Sequence, residues 1–212
     1  MANNLSESNK RSYKLNDVVS FKKTNERWGG LSNMAPGYPL FVLGFEIRSS
    51  EALYQACRFP HMPEVQHKII LQNSPMTAKM VGKPFRNESR SDWEKVRIKV
   101  MKWVLRVKLA QNWDSFSRLL LDTGDMPIVE ISNKDSFWGA KPLDAGNLSG
   151  VNALGRLLME LREKIRSSDK ENLLVVPPLK IEKFSFMGEA IGTVSADDVK
   201  VGSNHHQNRL DV

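Results

Sequence analysis

Two cations interrupt the apolar side of the longest predicted helix, which runs from Ser91 to about Gln111. Its apolar residues recur at helical spacing, at Trp93, Val96, Val100, Trp103, Val104 and Val107. On a helical wheel of about 100° per residue, Lys108 falls in the middle of this apolar arc, and Arg97 points in nearly the same direction. The solvent-exposed face is expected on another arc, which carries Lys95, Lys99, Lys102 and Arg106.

A lysine among apolar residues has two interpretations. Its stem can lie along the edge of the core while the ammonium reaches water, and the same holds for Arg97. Alternatively, this face lines a cavity, because a cation in apolar surroundings persists only when it is paired, hydrated in a pocket or partly neutralised by a lowered pKa. A lysine with a lowered pKa is a nucleophilic amine, and an opened ribose presents it with an aldehyde at the anomeric carbon.

Two carboxylates suit the same chemistry. Glu51 lies in the first turn of a helix predicted to start at Ser49 or Ser50, where a carboxylate also complements the helix dipole. Asp135 lies in the stretch SNKDS, where it can also act only as a turn-forming residue. With a buried lysine and several aromatic residues, these acids match what glycosidic cleavage requires: negative charge beside an oxocarbenium-like centre and a proton for the leaving base.

A glycine-rich stretch, DSFWGAKPLDAGNLSGVNALG, places Phe137 and Trp138 beside Asp135. It fits neither the Walker pattern nor G-x-G-x-x-G, so it indicates phosphate binding only weakly. We expect it to hold a nucleoside or sugar, with the aromatic rings stacking on a base. The start of the following helix could also offer N–H groups to an anion. In the alternative interpretation, Gly155 simply permits close packing of that helix.

Composition limits the class of protein. A chain of 212 residues with 41% apolar residues predicts one domain with one substantial core. The formal charge of +7 favours an anionic partner such as a nucleotide or nucleic acid. Cys57 is the one cysteine, which excludes an intramolecular disulfide, and zinc-ligand spacings are absent, so we expect neither metal nor cofactor. Without an apolar leader or a run of about 18 apolar residues, a cytoplasmic protein with no membrane partner is expected.

The elements expected around these residues are short. Strands are predicted at DVVSF, at PIVEIS and at PLFVLGFEIRS, where Gly44 forms a hairpin turn. Helices are predicted from Ser49 or Ser50, within residues 62–73, within 74–83 after a cap at Ser74, from a capping box at Ser91 and Glu94, over 114–122, and from Ser149 or Gly150. Residues 172–192 are expected to be extended and split by Pro177 and Pro178.

The two ends of the chain are polar. We expect residues 1–17 and 195–212 to be flexible. The second of these segments contains His205 and His206, which we expect to be solvent-exposed rather than metal ligands. The folded domain is therefore expected over residues 18–194.

Five stretches occur in the order and spacing of one family: GGLSNMAP at 29–36, SSEALYQACRF at 49–59, RSDWEKVRIKVMKWVLRVKLAQN at 90–112, LLLDTGDMPIVEISNKDSFWG at 119–139 and GVNALGRLLMELRE at 150–163. Over about residues 18–166 the chain resembles the NADAR, or YbiA-like, family. The resemblance implies a compact, helix-rich α+β single domain with small β-sheet elements, and N-glycosidase activity. Leu31 and Arg58 depart from the family's pattern, in which many relatives have an aromatic residue and a lysine.

The resemblance also implies a set of site residues. The family's motif positions fall on Ser32, Asn33, Glu51, Trp93, Lys108, Asp135, Trp138, Gly139, Asn152 and Gly155. We expect Lys108 to attack the anomeric carbon or stabilise an open-chain intermediate, and Glu51 to act as base or electrostatic partner. Asp135 is expected to bind ribose hydroxyls or move protons. Substrate binding is expected from Trp28, Ser32, Asn33, Tyr54, Trp93, Arg97, Phe137, Trp138, Gly139, Asn152 and Gly155.

Two substrates are associated with such proteins. Some members cleave ribosylated pyrimidine intermediates of riboflavin synthesis, and others remove ADP-ribose from guanine bases in nucleic acid, often beside a DNA ADP-ribosyltransferase toxin. Because the net charge is +7, we expect the second type: a hydrolase that acts on ADP-ribosylated guanine in DNA or nucleotides, as an antitoxin in phage defence. The alternatives are the riboflavin-pathway substrate and a non-catalytic module that binds ADP-ribose or NAD.

Overall fold

The computed structural model describes residues 9–199. In that part of the chain the α-helices are α1 Ser50–Ala56, α2 Pro63–Ile70, α3 Pro75–Val81, α4 Trp93–Gln111, α5 Trp113–Leu121, α6 Ala153–Ser167 and α7 Lys170–Leu173. The strands are β1 Arg11–Lys14, β2 Val19–Phe21, β3 Leu40–Val42, β4 Phe45–Ile47, β5 Ile128–Glu130, β6 Lys141–Pro142, β7 Asn147–Gly150, β8 Val175–Val176, β9 Ser185–Phe186, β10 Glu189–Ala190 and β11 Val194–Ser195. Long helices with small separate sheets confirm the predicted α+β class.

The described chain comprises two compact units. The first contains residues 9–32 and 116–167, and the second contains residues 33–115 and 168–199. In the first unit, β7 pairs antiparallel with both β1 and β6, and β2 pairs parallel with β5. Helix α6 packs on β5. One core cluster of this unit is formed by the buried side chains of Val18, Val129, Ala140 and Leu148.

The second unit is built mainly from helices. Helix α1 packs against α2, α3 and α4, and α4 also packs against β3, β8 and β11. The predicted hairpin is confirmed as β3 and β4, joined through Leu43 and Gly44, whose φ angles are +50° and +78°. Positive φ at both turn residues is the conformation that tight hairpins require. The predicted caps at Ser49 and Ser74 are also confirmed, because each hydroxyl accepts a backbone N–H of its helix.

Two predicted helix starts are wrong. The N-cap of α4 is Asp92, one residue after Ser91, and it makes no side-chain capping bond, so the helix does not start with the predicted capping box at Ser91 and Glu94. Ser149 and Gly150 lie in β7, and α6 begins only at Ala153. The pairing of β7 with β1 and β6 determines the conformation there, and local sequence cannot reveal such distant pairing.

The expected flexible ends are partly ordered. Residues 11–14 form β1, whose pairing joins Arg11 to Gly150 and Lys14 to Asn147. Ser195 lies in β11 opposite Val175, and its backbone carbonyl accepts the Gln111 Nε2–H at 3.1 Å. Both segments gain backbone hydrogen bonds from remote strands, which polar composition does not predict. The rest of these predictions, including His205 and His206, lies outside the described residues.

Candidate active site

Lys108 is fully buried on α4 in the second unit. Its Nζ lies 4.1 Å from the centre of the Tyr38 ring. Burial lowers the pKa of the Lys108 amine from 10.5 to about 7, because the ammonium loses its hydration. The ring face attracts a cation and therefore opposes this shift, but desolvation dominates. The expectation of a buried amine is confirmed, and the alternative in which the Lys108 ammonium reaches water is wrong.

Asn33 connects the start of α1 to the face of α4 that carries Lys108. Its Nδ2–H donates to Sδ of Met101 at 2.7 Å, and Met101 lies seven residues before Lys108, on the same helical stripe. Its backbone carbonyl accepts the Glu51 N–H at 3.1 Å. Within residues 9–199, the buried Oδ1 of Asn33 has no hydrogen-bond partner. A buried carbonyl oxygen of this kind is a ready acceptor for a substrate hydroxyl or N–H.

Glu51 is also buried, with 6% of its surface exposed. Its position in the first turn of α1 follows from the Ser49 cap. Gln55, one turn later, donates Nε2–H to Oε1 of Glu51 at 2.8 Å. A carboxylate that only complements a helix dipole has no need of burial, so this environment favours a chemical role. Because α1 packs against α4, the carboxylate and the Lys108 amine belong to neighbouring helices of one unit.

Aromatic rings and arginines surround this part of α1 and α4. The buried rings of Tyr54 and Trp93 have centres 5.1 Å apart, and Cζ of Arg58 lies 5.1 Å from the Trp93 ring centre. Burial and the nearby Glu51 carboxylate raise the pKa of Tyr54, which keeps its phenol protonated. Arg97 keeps a quarter of its side chain exposed and pairs with Glu94 at 3.0 Å. This exposure fits the interpretation in which the Arg97 side chain reaches water, and its predicted substrate contact stays a prediction.

Asp135 organises its own loop in the first unit. Its Oδ1 accepts the backbone N–H groups of both Phe137 and Trp138, each at 2.9 Å. The two rings pack edge to face with centres 5.1 Å apart. The turn-forming interpretation is therefore confirmed, and at least one carboxylate oxygen is occupied by the backbone. A role of Asp135 toward ribose stays a prediction.

Asn152, Gly139 and Gly155 have structural roles in the first unit, and their predicted substrate contacts stay predictions. The Asn152 amide is fully buried, donates to the Ile128 carbonyl at 2.8 Å and accepts the Glu130 N–H at 3.2 Å, so it completes the hydrogen bonding of β5. A Cβ on Gly155 would lie 2.1 Å from the Ile128 oxygen, and one on Gly139 would lie 2.5 Å from the Glu130 oxygen. These glycines permit close backbone approach, as the packing interpretation of Gly155 proposed.

The start of α6 is hydrogen-bonded to the preceding loop. The N–H groups of Ala153 and Leu154 donate to the carbonyls of Phe137 and Trp138 at 2.9 and 3.0 Å. Val151 donates likewise to Ser136 at 2.7 Å. The loop carbonyls thus satisfy two of the four N–H groups that a helix start leaves open, and these two do not point to an anion site. Asp135 and the start of α6 together bind the backbone of Phe137 and Trp138: Asp135 accepts their N–H groups, and the N–H groups of α6 donate to their carbonyls.

The remaining predicted residues of the first unit are Trp28 and Ser32. Trp28 is half-buried, and Cζ of Arg27 lies 4.6 Å from its ring centre. Ser32 is buried, and its N–H donates to the Gly29 carbonyl at 3.0 Å. The substrate-binding roles expected for both residues stay predictions.

The second unit contains six of the predicted site residues: Asn33, Glu51, Tyr54, Trp93, Arg97 and Lys108. We call this group the lysine cluster. Along α4, Trp93 and Arg97 precede Lys108 by about 22 and 16 Å. Sequence reasoning missed its supporting residues Tyr38, Gln55 and Met101. The spacing of Gln55 four residues after Glu51 was a usable signal. Tyr38 carried no such sequence signal, because it is 70 residues from Lys108 in the sequence and contacts it only in the folded protein.

Two absences hold for the described residues 9–199. No group of three or more His, Cys, Asp or Glu side chains is placed to hold a metal ion. None of the helices in this part of the chain has the length and apolar character needed to cross a membrane.

Comparisons with known proteins give consistent relatives. A family model described as the NADAR domain matches residues 20–166. The chain is 36% identical over 148 residues to the N-glycosidase YbiA of Shigella boydii, covering 70% of this chain and 88% of that protein. It is 34% identical over 164 residues to a riboflavin biosynthesis protein of Vibrio vulnificus, of which it covers 43%. The NMR structure of Escherichia coli YbiA superposes with a TM-score of 0.61 at 34% identity, covering 71% of this chain and 86% of that one.

Proposed function

This chain belongs to the NADAR domain family, and on that premise we propose that it is a hydrolase that cleaves an N-glycosidic bond to ribose. Its similarity to proteins named N-glycosidases supports the reaction type. The observation that carries the proposal is the buried Lys108 amine, whose pKa of about 7 leaves roughly half of it neutral at that pH. A neutral amine is the nucleophile that attack on an anomeric carbon requires.

The reaction proceeds in two stages. The lone pair of Lys108 Nζ forms a bond to C1′ while the electron pair of the C1′–base bond leaves with the base, which takes up a proton. Glu51 accepts the proton that Nζ loses, and Gln55 holds its carboxylate in place. The Nζ lone pair then forms a C=N bond as the C1′–O4′ bond breaks, and O4′ takes the proton held by Glu51, which gives a Schiff base between Nζ and C1′. Water then hydrolyses it to the free sugar aldehyde and the free amine, which returns Lys108 to its starting state.

The substrate we propose is ADP-ribose attached to guanine in DNA. The net charge of +7 favours a polyanionic substrate. Arg58 and Arg97 both lie close enough to Tyr54 to influence its pKa, and this pair of cations suits the diphosphate of ADP-ribose. An enzyme of this specificity reverses the action of a DNA ADP-ribosyltransferase, so we expect such a toxin as its genomic partner. The predicted cytoplasmic location is part of this proposal.

A ribosylated pyrimidine intermediate of riboflavin synthesis is the second candidate substrate. The names of two relatives favour it: the Vibrio vulnificus protein and a chloroplastic riboflavin biosynthesis protein of Zea mays, which is 32% identical over 163 residues. The chain covers only 43% and 25% of these two proteins. The match leaves out more than half of each of these two proteins. The proposal therefore requires that the matched segment itself acts on the intermediate.

Parallel incubations separate the candidates. Wild-type protein is incubated with an ADP-ribosylated oligonucleotide and with the ribosylated pyrimidine, and the released base is quantified by chromatography. We expect release from the oligonucleotide, loss of release in Lys108→Gln, and normal release in the control Lys68→Gln, which changes an exposed lysine of α2 in the same unit. Cleavage of the pyrimidine alone would overturn the DNA assignment. Binding of ADP-ribose without any release would identify a non-catalytic module.

A further inference from the structure

A groove of about 210 Å³ lies along α4 in the second unit. One wall carries Lys99, Lys102 and Arg106, and the other is formed by residues 177–180, which end in Lys180. Trp103 forms part of its lining. We call this feature the basic groove. Among the described residues that line it there is no Asp or Glu, so its charge is uniformly positive.

The cations follow the geometry of the helix. Lys95, Lys99, Lys102 and Arg106 are separated by four, three and four residues, which places them within about 60° of one another on the helical wheel. Like charges one turn apart destabilise a helix by a few tenths of a kcal/mol per pair. Lys108 lies about 150° from the mean direction of these four cations on the same wheel. The face of α4 that carries these four cations is therefore directed away from Lys108. Repulsion between the cations lowers helix stability, so packing of the helix does not explain why they are there.

The walls of the basic groove are held in place. Trp103 has 1% of its surface exposed and donates Nε1–H to the Pro177 carbonyl at 3.1 Å. The Phe184 ring packs edge to face on Trp103 with ring centres 5.0 Å apart. Two consecutive prolines, Pro177 and Pro178, restrict the backbone of the second wall. A positively charged channel with fixed walls is therefore present before any ligand arrives, which lowers the entropy cost of binding.

We propose that the basic groove binds the phosphodiester backbone of DNA; this inference rests on the proposed function, in which the modified base belongs to DNA. Along the groove, the rise from Lys99 to Arg106 is about 10 Å, which is longer than a single nucleotide needs. It corresponds to about three phosphates along one strand of a duplex. Because the groove faces away from Lys108, it holds DNA at a distance from the reacting nucleotide and contributes affinity rather than chemistry.

Salt dependence measures the number of phosphate contacts. Each contact contributes about −0.9 to the slope of log K against log salt concentration. We expect binding of a labelled, unmodified duplex to lose about 2.7 from the magnitude of that slope in the variant Lys99→Gln/Lys102→Gln/Arg106→Gln. The matched control Lys68→Gln/Lys79→Gln/Lys83→Gln removes the same charge elsewhere in the unit and should keep the wild-type slope. Equal slopes for the two variants, or no DNA binding at low salt, would overturn the proposal.

Cleavage assays distinguish a failure of this inference from a failure of the proposed function. The groove variant should show a raised KM on long ADP-ribosylated DNA and unchanged cleavage of an ADP-ribosylated mononucleotide. Equal losses on both substrates would contradict a remote docking surface, provided that thermal melting shows an intact fold. If wild-type protein cleaves neither substrate, the proposed function fails, while the salt-slope comparison still decides whether the groove binds DNA.

Discussion

Replacing Lys108 by methionine should stabilise the protein in a pH-dependent way. Methionine keeps a long unbranched side chain but carries no charge, so it removes the cost of burying an ammonium ion. The pKa of Lys108 falls from 10.5 to about 7 on folding, which corresponds to about 5 kcal/mol at about 1.4 kcal/mol per pKa unit.

The sign follows from proton counting. Below pH 7 the lysine is protonated in both states, so the folded protein bears the full cost. Between about pH 7 and 10.5 the unfolded chain holds a proton that the folded protein has released, so the stability of the wild type rises with pH. The advantage of Lys108→Met should therefore shrink from about 5 kcal/mol near pH 6 to about 2 kcal/mol near pH 9.

Denaturant unfolding of both proteins over this pH range measures the difference. Tyr54, Cys57 and the other titrating groups are common to both chains and cancel in the comparison. Lys95→Met changes an exposed lysine of the same helix and should show a difference that does not vary with pH. A pH-independent difference for Lys108→Met as well would refute the depressed pKa and with it the neutral nucleophile.

Three further substitutions test the roles assigned to single side chains. Glu51→Gln should fold normally and lower kcat by about 10²–10⁴, the range typical of general acid–base groups, and an unchanged kcat would exclude Glu51 as the base. Asp135→Asn retains the oxygen that accepts the Phe137 and Trp138 N–H groups, so melting should be unchanged while turnover falls; unchanged turnover would leave Asp135 with a turn-forming role alone. Gly155→Ala should lower the free energy of unfolding by about 1–3 kcal/mol, because its Cβ would meet the Ile128 oxygen at 2.1 Å, and a neutral effect in chemical denaturation would contradict that packing.

Local signals predicted the elements that carry the lysine cluster. The 3.6-residue repeat of α4 is long and regular, so it located the buried face and the lysine within it. The caps at Ser49 and Ser74 depend on hydrogen bonds within three residues, which sequence alone reveals. The hairpin at Gly44 likewise depends on neighbouring residues.

Features that depend on distant parts of the chain were not predictable. Strand β1 exists because β7 pairs with it across more than 130 residues, and nothing in the polar N-terminal sequence signals that pairing. Tyr38 reaches Lys108 only in the folded unit. Family motifs placed Asn152 and Gly155 among the substrate-binding residues, but a motif position does not distinguish a side chain that contacts substrate from one that completes the backbone bonding of β5.

Trapping of the covalent intermediate tests the central claim most directly. Wild-type protein and Lys108→Gln are each incubated with an ADP-ribosylated oligonucleotide in the presence of borohydride, which reduces a Schiff base to a stable amine. Peptide mass spectrometry then locates the adduct. The account predicts an ADP-ribose adduct on Lys108 in the wild type and none in the variant, which should also lose turnover. Turnover in the wild type without any adduct, together with comparable turnover in Lys108→Gln, would contradict it.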